Sequence, residues 1–353
     1  MLQQVTGVQR YAREFIATLD MLLEDRRDLT VRLLTPPISP RNVPPLRHIR
    51  HEAVGRSKGH LWEQLELPKH VGDATLFCPG NTAPVASLLG PRRVVVTLHD
   101  LSYRYFPNAY SWRFKLLYNW LIPLVLRNAD QVITVSQSER SAILACYPFA
   151  ADRLVAIQNG GLPTMIDQQE PSPQRKPTVL YVGSLSKRKN FPAMLAVAAE
   201  LARTRKTHFV FIGSVPPGLT ESLAQIPDDL KDHIQFVGQV NDWDRLLTAY
   251  RSATCFMFPS LYEASPLPPI EAMGCGCPVL ASDIPSLEER CGDAALYCDP
   301  NDTAAITASL ATLLEDTDLQ SRLRSKGYQR ASLYSWRRCV EDTLAVILAG
   351  VQK

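Results

Sequence analysis

The chain has 353 residues, 46% hydrophobic and 21% charged, with a formal net charge of +3. That length carries two cores of ordinary size, and that balance excludes the disordered and fibrous classes. The charge is too small to argue for nucleic acid, no run reaches 18 apolar residues, and Met1 to Gln9 has neither the charged start nor the apolar core of a secretory signal.

The first periodic stretch, QVTGVQRYAREF, reads as a βα turn and a helix. A doubly wound domain opens on a strand, so either that strand is absent or the true start codon lies upstream of Met1, and the second is expected. Apolar, β-branched runs then follow at VRLLT (31–35), ATLFCPG (74–80), RVVVTLHD (93–100), QVITVS (131–136) and LVAIQNG (154–160), and read as buried strands. Helical segments separate them. One of these, 110–128, mixes Trp112, Phe114, Tyr118 and Trp120 with Arg113, Lys115 and Arg127. It fits either the surface of an anionic bilayer or a helix buried beside the first sheet, kinked at Pro123 in both cases.

PTMIDQQEPSPQRKP (163–177) is rich in Pro, Gln and charge. It sets a linker at 166–177 between an N-terminal domain, 1–165, and a second domain, 178–332. In the second domain TVLYVGS (178–184), HFVFIGS (208–214), IQFVG (234–238), CFMFPS (255–260), PVLAS (278–282) and AALYCD (294–299) read as strands. They alternate with helices at 191–203, 243–251, 267–275, 286–291 and 302–315. Asn190 is placed to cap the first of these helices, and Ser286 with Glu289 has capping-box spacing. Residues 333–353 form an amphipathic helix expected to pack across both domains. The class is α/β, with two successive Rossmann-like halves.

Three features carry chemistry. The eight cysteines include no C-x2-C pair, and Cys275 and Cys277 make only a C-x-C. They read as small buried residues in a reducing cytoplasm, which removes a zinc site. Lys187, Arg188 and Lys189 follow the strand YVGS and precede a helix. Cations at a strand's carboxyl end beside a helix amino terminus suit a diphosphate, although such a run alone is equally a solvated loop. Glu263 and Glu271 flank a proline-rich turn. One carboxylate accepts two hydrogen bonds side by side, as a ribose cis-diol offers, and a second suits hexose hydroxyls. Hydrolysis by paired acids is the rival, and it leaves the basic loop and both Rossmann halves unexplained. His99, at the tip of TLHD, is by itself either a structural histidine or a site residue.

Taken together, YVGSLSKRKN, FPSLYEASPLPPIEAMGCGCPVLAS and GDAALYCDPND resemble the retaining glycosyltransferases of family 4 and their E-x7-E signature. VTGVQRYARE, VVVTLHDLSY, ITVSQSER and IQNGG look like the other half of that family, so the resemblance covers nearly the whole chain. It implies the GT-B fold: two Rossmann-like domains facing across a cleft, with a C-terminal helix crossing back to the N-terminal domain. It implies that Glu271 binds the nucleotide ribose, Glu263 the donor hexose and Lys189 a phosphate, and that His99 reaches the transferred sugar. By the same resemblance Gly7 lies in the glycine-rich first loop and Val237-Gly238 holds the base. Gly183, Ser184, Arg188, Ser265 and Leu267 complete the donor-binding set.

The chain departs from the family at three points, one of them the opening strand missing before Val5. Ser184 stands where an arginine often binds phosphate, a charge that Arg188 is expected to supply. Ala264-Ser265-Pro266 replaces Gly-Phe-Gly, and Pro266 has no N–H to offer a ligand, so the Ser265 hydroxyl is the expected substitute. Lys189, Arg188 and helix dipoles would stabilise the leaving diphosphate, so neither a divalent metal nor another cofactor is expected. The expected reaction moves a hexose, mannose from GDP-mannose first, onto a glycan or polyprenyl-linked acceptor in surface polysaccharide or lipopolysaccharide synthesis. It would run in the cytoplasm, at the inner face of the plasma membrane. A non-catalytic sugar-nucleotide-binding relative in a biosynthetic complex is the alternative, and a GT-B phosphorylase or epimerase a third.

Overall fold

Each apolar run singled out above becomes a strand in the computed structural model, which describes residues 7–37, 43–162, 176–215 and 226–349. The chain divides into two units, Met1–Pro163 with Ser335–Lys353, and Thr164–Tyr334. The linker expected at 166–177 lies, through residue 175, outside the described residues.

The first unit holds strands β1 (Arg32–Thr35), β2 (Arg50–Ala53), β3 (Leu76–Cys78), β4 (Val94–Leu98), β5 (Gln131–Thr134) and β6 (Leu154–Ala156). β3 to β6 lie side by side in chain order, all parallel, with Val96 opposite Cys78 on one edge and Val132 on the other. Every residue of β4 is buried. A central parallel strand is covered on both faces, and the continuous VVVTL run answers that need. β1 and β2 form a separate parallel pair, Arg32 opposite Arg50. β2, sequence RHEA, is mostly exposed and carries no apolar alternation, so periodicity gives no sign of it.

The helix Gly7–Leu22 buries Tyr11, Phe15, Leu19 and Leu22 along one face. Against it packs the C-terminal helix Trp336–Leu348. The Trp336 ring lies 5.9 Å from that of Tyr11, and its Nε1 donates to the Gly161 carbonyl at 3.2 Å. A Cβ at residue 160 would sit 2.4 Å from the indole, so only glycine fits there. The helix is thus part of the first unit, as the expected return of a C-terminal helix to the N-terminal domain requires.

The helix Trp112–Asn128 is capped by the Ser111 hydroxyl and contains Pro123. Leu121, Ile122, Val125 and Leu126 are buried, the last three in one core with Val94, Val96 and Val132, while Trp112, Leu116 and Trp120 are 67%, 65% and 58% exposed.

The second unit holds β7 (Thr178–Val182), β8 (His208–Ile212), β9 (Ile234–Gly238), β10 (Cys255–Phe258), β11 (Val279–Ser282) and β12 (Ala295–Cys298). Their order is β12-β11-β10-β7-β8-β9, every pair parallel. The chain winds outward from β7 to β9, returns to the other side of β7, and winds outward again from β10 to β12. The reversal falls between β7 and β10, and the crevice beyond their carboxyl ends is where such sheets bind ligands.

Local expectations fail at three places. The helix Pro285–Cys291 has Ile284 at its N-cap and no side-chain cap, so Ser286 and Glu289 form no capping box. Proline at the first turn, with φ already helical, starts the helix instead. Asn190 occupies the N-cap of Phe191–Arg205, but its φ is 61° and its amide donates to the Pro300 carbonyl at 2.6 Å. The helix Thr317–Ser332 is not among the expected elements. It is largely polar and buries only Leu323 and Gly327, so its apolar signal is faint.

Asp20 anchors the loop ahead of β2. Its buried carboxylate accepts the N–H groups of Arg47, His48 and Ile49, each at 2.8 Å. Burial pushes this carboxyl up, but the three backbone donors outweigh it and leave it below the ordinary range. Asp20→Ala is expected to destabilise the protein by about 2–4 kcal/mol, because three donors lose a charged acceptor. A depressed folded pKa means that this contribution is complete above the unfolded value of roughly 3.9 and is lost as pH falls through the folded one. Urea unfolding of both proteins checks this: the difference must persist at neutral pH and shrink only below about pH 4.

Candidate active site

The carboxyl ends of β7, β8 and β9 meet through backbone. The Gly183 N–H donates to the Ile212 carbonyl and the Gly213 N–H to that of Gly238, both at 2.9 Å. A Cβ on Gly213, whose φ is 157°, would fall 1.7 Å from the Gly183 oxygen, so residue 213 must be glycine for these ends to close. The Ser184 carbonyl accepts from the Tyr181 hydroxyl at 2.9 Å. Val237 and Gly238 are half-buried at the end of β9, with Gly238 at φ 79° beside a break in the β8–β9 register.

From β7 the chain enters the short turn Lys187–Lys189, closed by Asn190 in the left-handed conformation. The Asn190 amide on Pro300 ties this turn to the exit of β12. From β10 it enters the turn 261–267, which is bound back to the basic turn by backbone. The Leu261 N–H donates to the Arg188 carbonyl at 3.0 Å, and the Arg188 guanidinium donates to the Tyr262 carbonyl at 3.1 Å. Glu263 is thereby set between two cations. Its Oε1 accepts from Lys189 Nζ, and its Oε2 is 3.7 Å from Arg188. The Lys189 ammonium also lies 5.1 Å from the centre of the Phe258 ring, within range of a cation–π contact. Glu263 and Lys189 are both nearly withdrawn from water, at 7% and 12% side-chain exposure.

Glu271 lies in the first turn of the helix Pro268–Gly274 and is fully buried. Its Oε2 accepts from the Tyr250 hydroxyl at 2.9 Å. Leu267 is the buried N-cap of this helix and supplies no side-chain cap. The Ser265 hydroxyl is buried and meets no hydrogen-bond partner among the described residues. Pro266 beside it is also buried. Cys275 and Cys277 are buried free thiols, and among the described residues no three His, Cys, Asp or Glu side chains gather as metal ligands.

The second unit thus brings Arg188, Lys189 and Glu263 into one cluster and sets Glu271 on the next helix with Tyr250. Tyr250 and Phe258 are the members sequence reasoning missed. Each lies in an ordinary apolar or amphipathic pattern, a helix face for Tyr250 and the CFMF strand for Phe258.

His99 and Gly7 belong to the first unit and are described there alone. His99 follows β4 and is buried; its N–H donates to Asn81 Oδ1, and its Nε2 donates to the Pro79 carbonyl, both at 2.8 Å. That second bond places the ring proton on Nε2 and leaves Nδ1 as an acceptor. Burial lowers the imidazole pKa, opposed by the Pro79 carbonyl and Asp100, so the neutral ring holds at pH 7. The Tyr11 ring meets it edge-on at 4.8 Å. Gly7 is the exposed first residue of its helix, and a Cβ there would meet nothing within 4 Å.

Comparison with known proteins agrees across both units. The family model for "Glycosyl transferases group 1" matches residues 164–330, and that for "Glycosyltransferase Family 4" matches residues 5–160. The O-antigen chain mannosyltransferase B of Escherichia coli is 31% identical over 265 residues, 71% of this chain and 69% of that protein. The O-antigen chain mannosyltransferase RfbU of Salmonella typhimurium is 24% identical over 264 residues, 75% and 72% respectively. Among solved structures, sucrose-phosphate synthase from Thermosynechococcus elongatus matches with a TM-score of 0.75 at 22% identity, over 97% of this chain and 93% of that one. HepE of Anabaena, solved with UDP and glucose, matches at 0.71 and 18%, over 98% and 97%. The structural likenesses agree in fold, two Rossmann-like domains of the GT-B kind, and the sequence matches establish that the chain belongs to the family 4 glycosyltransferases.

Proposed function

We propose that this enzyme moves a hexose, with mannose from GDP-mannose the first candidate, onto a glycan or lipid-linked acceptor in surface polysaccharide synthesis, with retention of configuration. The two O-antigen mannosyltransferases support the sugar and the setting. The observation that carries the reading is the cluster of Arg188, Lys189 and Glu263 at the switch point between β7 and β10. Bond breaking leaves positive charge on the sugar and negative charge on the diphosphate. Lys189 and Arg188 would neutralise the second, in a setting poor enough in water for their charge to count, so the reaction is read as metal-independent. Glu271, oriented by Tyr250, would accept the two ribose hydroxyls, and Glu263 the hexose hydroxyls. Gly183, Ser184, Val237, Gly238, Ser265 and Leu267 would line the base and phosphates, and the neutral His99 would accept from the transferred sugar through Nδ1.

The exposed face of Trp112–Asn128 supports a seat on the membrane surface. Between Asp100 and Asp130 the chain carries Arg104, Arg113, Lys115 and Arg127 and no acidic residue. Trp112, Leu116 and Trp120 recur every fourth position, on one exposed side of that helix. Aromatic side chains among cations suit the headgroup region of an anionic leaflet, which fits a cytoplasmic enzyme with a polyprenyl-linked acceptor. No helix among the described residues is long and apolar enough to cross a membrane.

Transfer assays with a panel of GDP- and UDP-sugars test the reaction. Lys189→Ala and Glu271→Ala should each lose donor affinity or rate by roughly tenfold or more, from the loss of charge-assisted bonds. Tyr250→Phe should lose less, raising KM for the donor about threefold to tenfold by loosening one carboxylate bond. Wild-type kinetics in both alanine variants would sink the assignment. For the membrane, co-sedimentation with phosphatidylglycerol vesicles should retain the wild type and release a Trp112→Ser/Trp120→Ser variant. Equal recovery with and without anionic vesicles would remove that part of the reading.

A further inference from the structure

We propose that Glu263 is the exchangeable counter-ion of the diphosphate site, so that a nucleoside diphosphate binds by displacing its carboxylate from Lys189 and Arg188. This rests on the reading of those two cations as the diphosphate ligands. The geometry points to it directly. Oε1 takes the Lys189 ammonium and Oε2 faces Arg188 at 3.7 Å, so one carboxylate engages both charges at once. Its side chain is 7% exposed and that of Lys189 12%. A lysine ammonium in such a place is costly without a countercharge, and the carboxylate relieves that cost while also facing the partly exposed Arg188. A diphosphate offers the same cations a higher negative charge, and it meets the Glu263 carboxylate as a like-charged neighbour.

Two consequences follow from that charge arrangement. Product affinity is held down by repulsion from Glu263, which favours departure of the diphosphate after transfer. And the carboxylate released from Lys189 when the diphosphate arrives becomes an acceptor for sugar hydroxyls, so that phosphate binding and the sugar grip are linked through one side chain. The turn itself does not depend on this carboxylate. Leu261 N–H to the Arg188 carbonyl, and Arg188 to the Tyr262 carbonyl, are bonds that a Glu263 substitution leaves in place.

The test is calorimetric titration of the full chain with GDP and UDP, the matching monophosphates and the nucleosides. Removing the carboxylate with Glu263→Gln should tighten binding of the preferred diphosphate by roughly threefold to tenfold, a partly screened like-charge term. The gain should be smaller for the monophosphate and absent for the nucleoside, and product inhibition of transfer should deepen in parallel. Glu263→Ala must shift diphosphate affinity in the same direction, since both variants remove the charge. A glutamate with a merely structural role would weaken all three ligands together. If Lys189→Ala weakens diphosphate binding while neither Glu263 variant tightens it, the counter-ion proposal is overturned and the diphosphate site stands. If Lys189→Ala leaves diphosphate binding unchanged, the site assignment fails and the proposal fails with it.

Discussion

A lysine and a glutamate this far withdrawn from water each need a countercharge, and the strand order of the second unit brings Lys189 and Glu263 within reach of one another. They are 74 residues apart in sequence. What makes them neighbours is the strand order, because β7 and β10 are adjacent only where the sheet reverses its winding. The finer devices serve the same contact. Asn190 in the left-handed conformation closes the basic turn, its amide pins that turn to Pro300, and the Ser282 hydroxyl holds the Ser260 carbonyl at 2.6 Å at the base of the acidic turn.

The same arrangement bears on the positions where the sequence departs from the family pattern it resembles. Ser184 brings no charge, and here its carbonyl is occupied by Tyr181. Arg188 reaches the acidic turn from the neighbouring turn, bonded to the Tyr262 carbonyl and facing Glu263. Pro266 removes a backbone donor, yet Ser265 next to it holds a buried hydroxyl without a partner among the described residues. A buried hydroxyl in a turn of this kind is a costly ornament unless something engages it.

Strands were legible because buried parallel strands are short, continuous and β-branched. VVVTL, HFVFI and CFMF announce themselves, whereas RHEA does not, since an exposed edge pair needs no apolar face. Capping was poorly legible. Ser286 and Glu289 have the right spacing, but Pro285 starts the helix one residue earlier, and Asn190 spends its amide on a tertiary contact. Glu263, Glu271 and the basic turn were legible as residue types in a family pattern. That one carboxylate grips both cations, and that Tyr250 orients the other glutamate, depends on side-chain geometry that no periodicity encodes.

Trp336, seated on Gly160 and beside Tyr11, bears on the order in which the chain acquires its structure. The second unit is one continuous stretch, Thr164–Tyr334, with every strand of its sheet and both turns of its site inside it. The first unit is made of two pieces, and Trp336, Cys339, Val340 and Leu344 of the later piece are buried parts of it. On a ribosome that emits the chain from its amino end, the earlier piece waits for a helix separated from it by the whole of the second unit. The second unit is therefore complete in sequence before the unit that precedes it, and the helix that closes the first core emerges only after it.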